Sequence, residues 1–394
     1  MSEFINSRRM RTWAEIDLDK VEYNYSLIRE HIGKAKLCCV VKANGYGHGA
    51  VKLAALFEKL GADYLAVSNI EEALQLRQNG TGLPILILGY TPAECARILA
   101  ENNITQCVYS LEYGLKLAKN AKKHGVRIKI HLKLDTGMGR IGFLCRRDTE
   151  NELSDALAIC REDSLIPEGI FTHFALADEK ERGKEYTDEQ FECFINAIKY
   201  LEDNGVKFEI KHCANSAATF SYPEYHLDMV RAGLVLYGLS PSQNAEDIVS
   251  LRPAMSLLSV ISHIKELKKG ETVSYGRTFT APRDMRVATV PAGYADGLPR
   301  ATAASGYKLS VGGKETEILG RICMDQLMID VSDIKCRVGD IVTIFDDSAP
   351  CSAYELATAN DTINYEIVCG IGERVPRAYV RSGRIVDWSD SICK

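Results

Sequence analysis

Hydrophobic and polar positions along the chain follow two different patterns. Between Asp19 and Gly238, short apolar runs alternate with segments whose apolar residues recur at helical spacing. This alternation predicts parallel strands joined by helices. From Ala254 onward the pattern changes to short strands separated by turn residues, with helical spacing only around 353–359. The sequence therefore predicts an α/β domain followed by a mainly β domain.

The first region contains eight strand segments. Eight strands with helical crossovers that close on themselves make a (β/α)8 barrel of the TIM type, whose active site lies at the carboxyl ends of the strands. The Thr91-Pro92 pair predicts the N-cap and first position of one helix, which continues through Leu99. The predicted strands are 36–42, 64–68, 84–89, 105–110, 127–134, 169–173, 208–214 and 229–231.

The same patterns predict the domain boundaries. Residues 1–18 contain a strand, from Thr12 to Leu18, that stands apart from the barrel pattern. The barrel then occupies residues 19–240. Residues 241–253 are rich in turn formers and predict a linker, and residues 254–394 form the predicted β domain.

Composition and charge exclude several classes of protein. The 48 Lys and Arg residues against 53 Asp and Glu give a net charge of −5, which offers no broad attraction to nucleic acid or an anionic membrane. The 13 cysteines include no C-x-x-C pair, so neither a zinc cluster nor a disulfide framework is indicated. The N-terminus lacks the apolar core of a signal peptide, and no apolar run is long enough to span a bilayer. We therefore expect a cytoplasmic protein with no metal site.

Lys42 is the first candidate for chemistry. It stands in V-V-K-A-N-G-Y-G-H-G, where the apolar run 37–41 ends and a glycine-rich loop begins. An ammonium group in an apolar setting is destabilised, which favours the neutral amine that attacks carbonyl groups. The alternative is a lysine whose charged end simply extends from a strand end into water.

Other polar groups follow the remaining strand ends. Arg140 follows the fifth strand, His173 ends the sixth, Asn215-Ser216 follows the seventh and Arg231 ends the eighth. Barrels often bind phosphate in the loops after strands seven and eight. Here these loops offer the Ser216 hydroxyl and the backbone of Gly233 and Leu234, which predicts a phosphorylated cofactor.

Four short polar motifs interrupt the β region: V-S-Y-G-R at Tyr275, P-A-G-Y-A-D-G at Tyr294, R-I-C-M-D-Q at Met324-Asp325, and T-I-N-Y-E-I at Tyr365. Each motif by itself favours an ordinary turn.

Taken in order with D-T-G-M-G-R-I-G, A-N-S-A-A-T and V-R-A-G-L-V-L-Y-G, these motifs resemble those of the alanine racemases over about residues 12–379. That family comprises pyridoxal-phosphate enzymes with an N-terminal barrel and a C-terminal β domain. The resemblance implies that the strand 12–18 joins the β domain. It also implies interconversion of L- and D-alanine, which supplies D-alanine for peptidoglycan.

The resemblance assigns two proton carriers. Lys42 would hold pyridoxal phosphate through its amine and act on one face of the substrate α-carbon, and Tyr275 of a partner subunit would act on the other. Arg231 would face the pyridine nitrogen, as the family pairs an arginine with that atom, and His173 belongs to the same hydrogen-bonded chain. The alternatives are a barrel-rim ion pair of Arg231 with Asp228 and a core histidine at 173.

The remaining assignments also come from the resemblance. Tyr46, Ser216, Gly233, Leu234 and Tyr365 match phosphate ligands, and Leu88 and Asn215 match neighbours of the cofactor, although Leu88 and Leu234 are equally compatible with the core. The resemblance implies that Arg140 and the Met324 backbone bind the substrate carboxylate, with Asp325 in support, and that Tyr294 and Tyr365 form an entry gate for small amino acids. Lys133 matches a lysine that many members carbamylate to brace Arg140, and an unmodified strand lysine is the alternative.

The resemblance finally implies a head-to-tail homodimer with shared sites. The alternatives are a serine racemase of the same family, a decarboxylase with a similar architecture, or a non-catalytic pyridoxal-phosphate carrier that resembles the barrel alone. Arg231 argues against the decarboxylases, which place a glutamate near the ring nitrogen, and Tyr365 favours alanine over serine.

Overall fold

Eight parallel strands form a nearly closed barrel, in a computed structural model that describes residues 11–146, 149–241, 250–348 and 350–391. Backbone hydrogen bonds from Asp228 N–H to Lys211 O (3.1 Å) and from Arg231 N–H to Ala214 O (3.0 Å) join the last two strands. The predicted fold class is confirmed. The barrel strands are β2 Lys36–Val40, β3 Tyr64–Val67, β4 Ile85–Ile87, β5 Ile104–Val108, β6 Ile128–Asp135, β8 Leu165–Phe171, β9 Ile210–His212 and β10 Met229–Ala232, and the short strand β7 Phe143–Leu144 pairs with β6 outside this order.

Helices connect the barrel strands, and the first buries Val21, Ile28 and Ile32 on one apolar face. In the first, Asp17 caps the helix by accepting from the N–H groups of Asp19 and Lys20. The helices are α1 Leu18–Ile32, α2 Lys42–Tyr46, α3 Ala50–Lys59, α4 Ile70–Gln78, α5 Ala96–Glu101, α6 Leu111–His124, α7 Thr149–Cys160, α8 Lys180–Asp203 and α9 Ser216–Ser221.

The helix start predicted at Thr91 is wrong. A 3₁₀ turn at Ala93–Cys95 precedes α5, and Pro92 is its N-cap with an extended ψ of 131°. Since Pro92 is extended, the chain turns only after it, and the Thr91 hydroxyl has no hydrogen-bond partner among the described residues.

The β region builds a seven-stranded sheet around the strand that stood apart in the sequence, β1 Thr12–Asp17. This strand pairs antiparallel with β11 Met255–Val260 and parallel with β20 Arg377–Arg381. The other members of the sheet are β16 Lys308–Val311, β17 Lys314–Glu317, β19 Ile341–Phe345 and β21 Arg384–Ser389. Two smaller sheets contain β12 His263–Leu267, β15 Met285–Val290 and β18 Leu327–Asp330, and the hairpin β13 Thr272–Val273 with β14 Phe279–Thr280.

Two short helices interrupt the β region, α10 Ala353–Ala359 and α11 Asn364–Cys369. The first was predicted. The second corrects the prediction of a plain turn at Tyr365, which lies in its first turn. Of the predicted linker, residues 242–249 lie outside the described part of the chain. No helix in the described ranges is both long and apolar enough to cross a membrane.

Candidate active site

Lys42 follows the carboxyl end of β2 and begins α2, a short turn whose middle residues are left-handed. Ala43, Asn44 and Gly45 have φ values of 51°, 53° and 62°, in the left-handed region. The Glu72 carboxylate accepts from Ala43 N–H at 2.7 Å and holds this turn. Lys42 is half-buried as a result, and burial first, then the positive charge of Arg140, lowers the pKa of its amine.

Residues of the β region pack against the glycine-rich end of this turn, at Gly47 and Gly49. Arg377 Nε donates to Gly47 O at 3.0 Å. A Cβ at Gly47 would come within 2.1 Å of Val368 O, and one at Gly49 within 1.9 Å of the Tyr379 hydroxyl. Both glycines are therefore required by the close approach of the two parts of the chain.

Arg231 projects from the end of β10 into the barrel, where its side chain is 3% exposed. It donates to Thr172 O (2.8 Å), Cys213 O (3.1 Å) and His212 Nδ1 (2.9 Å), and its Nη2 lies 3.2 Å from His173 Nδ1. No carboxylate of the described residues lies within ion-pair distance, and Asp228 instead accepts from Lys211 N–H. The rim ion pair with Asp228 is thus not formed, and burial lowers the pKa of Arg231 to about 10.

The guanidinium fixes the direction of a longer hydrogen-bond chain. Because arginine can only donate, His212 must accept at Nδ1 and carry its proton on Nε2. His212 Nε2 lies 2.9 Å from His131 Nδ1, so His131 carries its proton on Nε2. This nitrogen lies 3.4 Å from Glu168 Oε2 but makes no hydrogen bond to the described residues. Burial lowers the pKa of both histidines, which keeps them neutral.

His173 is the second ring beside Arg231. Burial first, then the charges of Arg231, Arg140, Lys133 and Lys42, lower its pKa well below the usual value. A neutral ring accepts from Arg231 at Nδ1 and keeps a proton on its other nitrogen. The prediction that His173 and Arg231 belong to one chain of hydrogen bonds agrees with this contact.

Three hydroxyl and amide groups meet where an anion was predicted. Gly233 N–H donates to Ser216 Oγ at 2.9 Å. A Cβ on Gly233 would lie 2.7 Å from the Tyr46 hydroxyl and 3.5 Å from Ser216 Oγ, so the glycine leaves room between these donors. This donor set matches the chemistry of a phosphate group.

The other predicted barrel residues surround this rim in different ways. Asn215 caps α9 by accepting from Ala218 N–H at 3.0 Å, and the Tyr365 ring lies 6.0 Å from the Tyr46 ring. Leu234 is fully buried, whereas Leu88 is half-buried against the core.

Lys133 is buried, and burial followed by the charge of Arg231 lowers its pKa to about 8. Arg140 is exposed at the rim.

Four predicted residues form a separate group on the β region. Tyr275 is 70% exposed and Met324 is 52% exposed, and both line a surface cavity of about 470 Å³ with Asp325. Tyr294 N–H donates to Cys323 O at 3.1 Å, beside Met324, and Asp325 pairs with Arg374 at 2.7 Å. No hydrogen bond, ion pair or ring contact of the described chain links this group to Lys42.

Sequence reasoning missed four polar residues of the barrel interior: His131, Glu168, His212 and Tyr237. Tyr237 donates to Val40 O at 2.8 Å and stacks on the ring of His48. A signal was present in β6, where Lys129, His131, Lys133 and Asp135 alternate with apolar residues and so share one face.

Comparison with known proteins places this geometry in a family. The model described as "Alanine racemase, N-terminal domain" matches residues 16–241, and "Alanine racemase, C-terminal domain" matches residues 254–379. The chain is 44% identical over 371 residues to an alanine racemase of Desulforamulus reducens, covering 93% of this chain and 98% of that protein.

Solved structures agree with the sequence comparison. The alanine racemase of Clostridium difficile 630 superposes with a TM-score of 0.90 at 41% identity, over 97% of this chain and 98% of the other. The Bacillus anthracis alanine racemase with bound L-Ala-P gives a TM-score of 0.91 at 37% identity, over the same shares of each chain. Both predicted domains are matched, unlike the barrel-only carriers considered above, and the chain belongs to the alanine racemase family.

Proposed function

We propose that this protein is a pyridoxal-phosphate-dependent racemase that interconverts L-alanine and D-alanine. The observation that carries the proposal is the position of Lys42, whose amine has a lowered pKa at the same barrel rim as Arg231 and the Ser216–Gly233 pair. The names of the relatives, all alanine racemases, support alanine as the substrate.

The residues at the rim fit the proposed cofactor. Pyridoxal phosphate, when bound, supplies an electron sink that acidifies the proton on the substrate α-carbon. Lys42 would bind it covalently, and Tyr46, Ser216 and Gly233 would receive its phosphate, near Leu234 and Tyr365. Arg231 would face the ring nitrogen, and since a guanidinium donates without giving up its proton, that nitrogen would stay unprotonated.

Inversion at the α-carbon requires a proton carrier on each face. Lys42 Nζ would hold or accept the proton on one face. Tyr275 is the proposed carrier on the other face. Since it is exposed and has no hydrogen bond, ion pair or ring contact with Lys42 in the described part of its own chain, it would come from a second copy. Large apolar side chains exposed together in one group, as Tyr275 and Met324 are, commonly mark an interface.

The substrate carboxylate would bind to Arg140 and to the Met324 backbone of the partner subunit, with Asp325 in support. A planar guanidinium suits a carboxylate because it donates two parallel hydrogen bonds. Tyr294 and Tyr365 would narrow the entry to small amino acids. Lys133, with a pKa near 8, would be neutral often enough to react with carbon dioxide, and the resulting carbamate would brace Arg140.

We also propose that the D-alanine formed supplies peptidoglycan synthesis in the cytoplasm. All the cysteines that the structure describes are free thiols, which suits a reducing compartment.

The activity is tested by incubating purified protein and pyridoxal phosphate with L-alanine or L-serine in deuterated water. We expect D-alanine with deuterium at the α-carbon, and much slower turnover of serine. Lys42→Ala and Tyr275→Phe should each lower the rate by about 100- to 10,000-fold. The matched controls are Lys59→Ala, an exposed helical lysine, and Tyr90→Phe, a tyrosine that is 60% exposed. Unchanged turnover in Lys42→Ala would overturn the proposal.

Mixing the two inactive variants tests the shared site. If Lys42 and Tyr275 of one site come from different subunits, a mixed dimer contains one intact site, and free exchange of subunits restores about a quarter of the original activity. If both residues come from one chain, the mixture stays inactive, and the dimer proposal fails while the assignment of Lys42 stands.

A further inference from the structure

Two cysteines outside the proposed catalytic machinery lie in contact. Cys145 directly follows β7, and Cys193 lies in α8, 48 residues later. Their sulfur atoms are 3.2 Å apart, and each sulfur also lies within hydrogen-bonding range of the other residue's backbone carbonyl. Since a disulfide bond is about 2.05 Å long, the sulfurs need to approach by only about 1 Å to bond.

Exposure favours reaction at one sulfur. Cys145 is fully buried, whereas Cys193 is half-buried and therefore reachable by a small oxidant. The hydrogen bond between the thiols, together with burial, also raises the pKa of Cys145, and the thiolate is the reactive form of cysteine. Cys193 is therefore the nucleophile of the pair and Cys145 the resolving thiol.

Both cysteines are connected to the loop that carries Arg140. Cys145 N–H donates to Asp135 O at 3.2 Å, and the Asp135 carboxylate accepts from Gly137 N–H (3.0 Å) and Gly139 N–H (2.9 Å). Gly139 immediately precedes Arg140 in the chain. A movement at Cys145 therefore passes through one hydrogen-bonded residue to the backbone that positions this arginine.

Helix α8 contacts the same loop from the other side. Tyr186 donates to Gly137 O at 2.9 Å. Gln190, one turn before Cys193, donates to Thr136 Oγ1 and to His173 O, both at 3.3 Å. The helix that carries Cys193 thus touches the loop before Arg140 and the backbone of His173.

We propose that Cys145 and Cys193 form a reversible disulfide under peroxide and that this bond displaces the Arg140 loop and lowers activity. The effect on activity rests on the proposed function, because it requires Arg140 to bind substrate. The formation of the disulfide does not.

The chemistry balances with a peroxide as the oxidant. The Cys193 thiolate attacks one oxygen of hydrogen peroxide, the O–O bond breaks, and a sulfenic acid and hydroxide form. The Cys145 sulfur then attacks the Cys193 sulfur, which forms the S–S bond and releases the sulfenic oxygen as water. Two thiols and one peroxide give one disulfide and two waters, with two electrons passing from sulfur to oxygen. A dithiol reductant reverses the step by exchange.

The experiment treats the cofactor-loaded enzyme with hydrogen peroxide, blocks the remaining thiols by alkylation and digests with trypsin. Cleavage after Arg140, Arg146, Lys184 and Lys199 gives the peptides 141–146 and 185–199, each with a single cysteine. We expect these two peptides joined, with kcat/KM for L-alanine lowered by up to about 100-fold, the loss that a displacement near 1 Å can cause. Dithiothreitol should separate the joined peptides and restore kcat/KM to its value before oxidation.

Two variants control the result. Cys193→Ser should give no joined peptide and should keep its activity under the same peroxide treatment. Cys95→Ser, which changes a half-buried cysteine elsewhere in the barrel, should still form the joined peptide and lose activity.

Three outcomes would overturn the inference: no joined peptide in the wild-type enzyme, a joined peptide with unchanged kinetics, or equal peroxide sensitivity in Cys193→Ser. If the reduced enzyme does not racemise alanine, the proposed function fails, and the joined peptide still reports separately on the disulfide.

Discussion

Replacing Glu168 by glutamine tests the hydrogen-bond chain of the barrel interior. Glu168 is 7% exposed and lies at the end of the chain opposite Arg231. Its carboxylate accepts from Tyr64 Oη at 2.7 Å, Thr105 Oγ1 at 3.1 Å and Lys129 Nζ at 2.6 Å. Glutamine preserves the shape of the side chain but removes the negative charge.

The size of the effect follows from these contacts. A hydrogen bond to a charged group contributes about 1.5–3 kcal/mol, against about 0.5–1.5 kcal/mol between neutral groups, so the bonds from Tyr64 and Thr105 each lose about 1 kcal/mol. The ion pair with half-exposed Lys129 adds less than about 1 kcal/mol because water screens it. We expect a loss of about 2–3 kcal/mol, which in a chain of 394 residues lowers the thermal midpoint by roughly 2–4 °C.

The loss should depend on pH. Burial alone would raise the pKa of Glu168, but the nearby His131 ring and the hydrogen bonds from Lys129 and Tyr64 outweigh it and bring the pKa well below the ordinary value of 4.5. A lowered carboxylate pKa stabilises the fold fully above about pH 5.5, and this contribution is lost as the pH falls through 4.5 and below. The wild type should therefore lose its advantage over Glu168→Gln on acidification.

The assay is thermal unfolding followed by circular dichroism, with both proteins cofactor-loaded and at equal concentration, at about pH 7 and about pH 4. Glu112→Gln, an exposed helical glutamate paired with Lys116, is the control and should unfold like the wild type. Equal midpoints for Glu168→Gln and wild type at neutral pH would refute the reasoning. So would a difference that stays constant between the two pH values.

Three further predictions concern the rim. Burial and the charge of Arg140 lower the pKa of Lys42 below 10.5, the ordinary value for lysine. Borohydride trapping of pyridoxal on the protein should therefore reach half its maximum rate below pH 10.5. A midpoint at or above pH 10.5 would contradict the site geometry. Because the pKa of Lys133 is about 8, a carbamate signal from carbon-13 bicarbonate should grow as the pH rises through 8, and a signal that persists in Lys133→Ala would come from another amine. Gly233→Ala, whose Cβ would lie 2.7 Å from the Tyr46 hydroxyl, should bind pyridoxal phosphate at least about tenfold less tightly by fluorescence titration. The control Gly82→Ala, whose Cβ would meet only the flexible end of the Glu58 side chain, should bind it normally.

The eight barrel strands could be read from the sequence because each is a short apolar run bounded by turn residues. The second helix of the β region could not. Asn364–Cys369 spans six residues, too few for a helical repeat to appear, and Ile363 supplies no side-chain cap at its start. Tyr365 was therefore expected in a turn, although its position beside Tyr46 depends on that helix.

The rim residues were predictable for a topological reason, since parallel strands bring their carboxyl ends to one face. The interior chain was not, because it depends on which face of each strand points inward. In β9 and β10 nearly every residue is buried, so the hydrophobic pattern does not distinguish the two faces that place His212 against Arg231. Only β6 alternates clearly enough to reveal its inward polar face.

The chain from Arg231 to Glu168 explains how the barrel tolerates a buried guanidinium that has no carboxylate of the described residues beside it. An isolated charge in such a place costs several kcal/mol. Here the positive group donates to His212, His212 donates to His131, and His131 Nε2 lies 3.4 Å from the Glu168 carboxylate on the next strand. Each neutral ring is polarised in the same direction, so the negative charge of Glu168 compensates Arg231 through two intervening rings. A histidine cannot be protonated in this chain without pointing a proton at a donor, which keeps both rings neutral and leaves Arg231 positive at the rim.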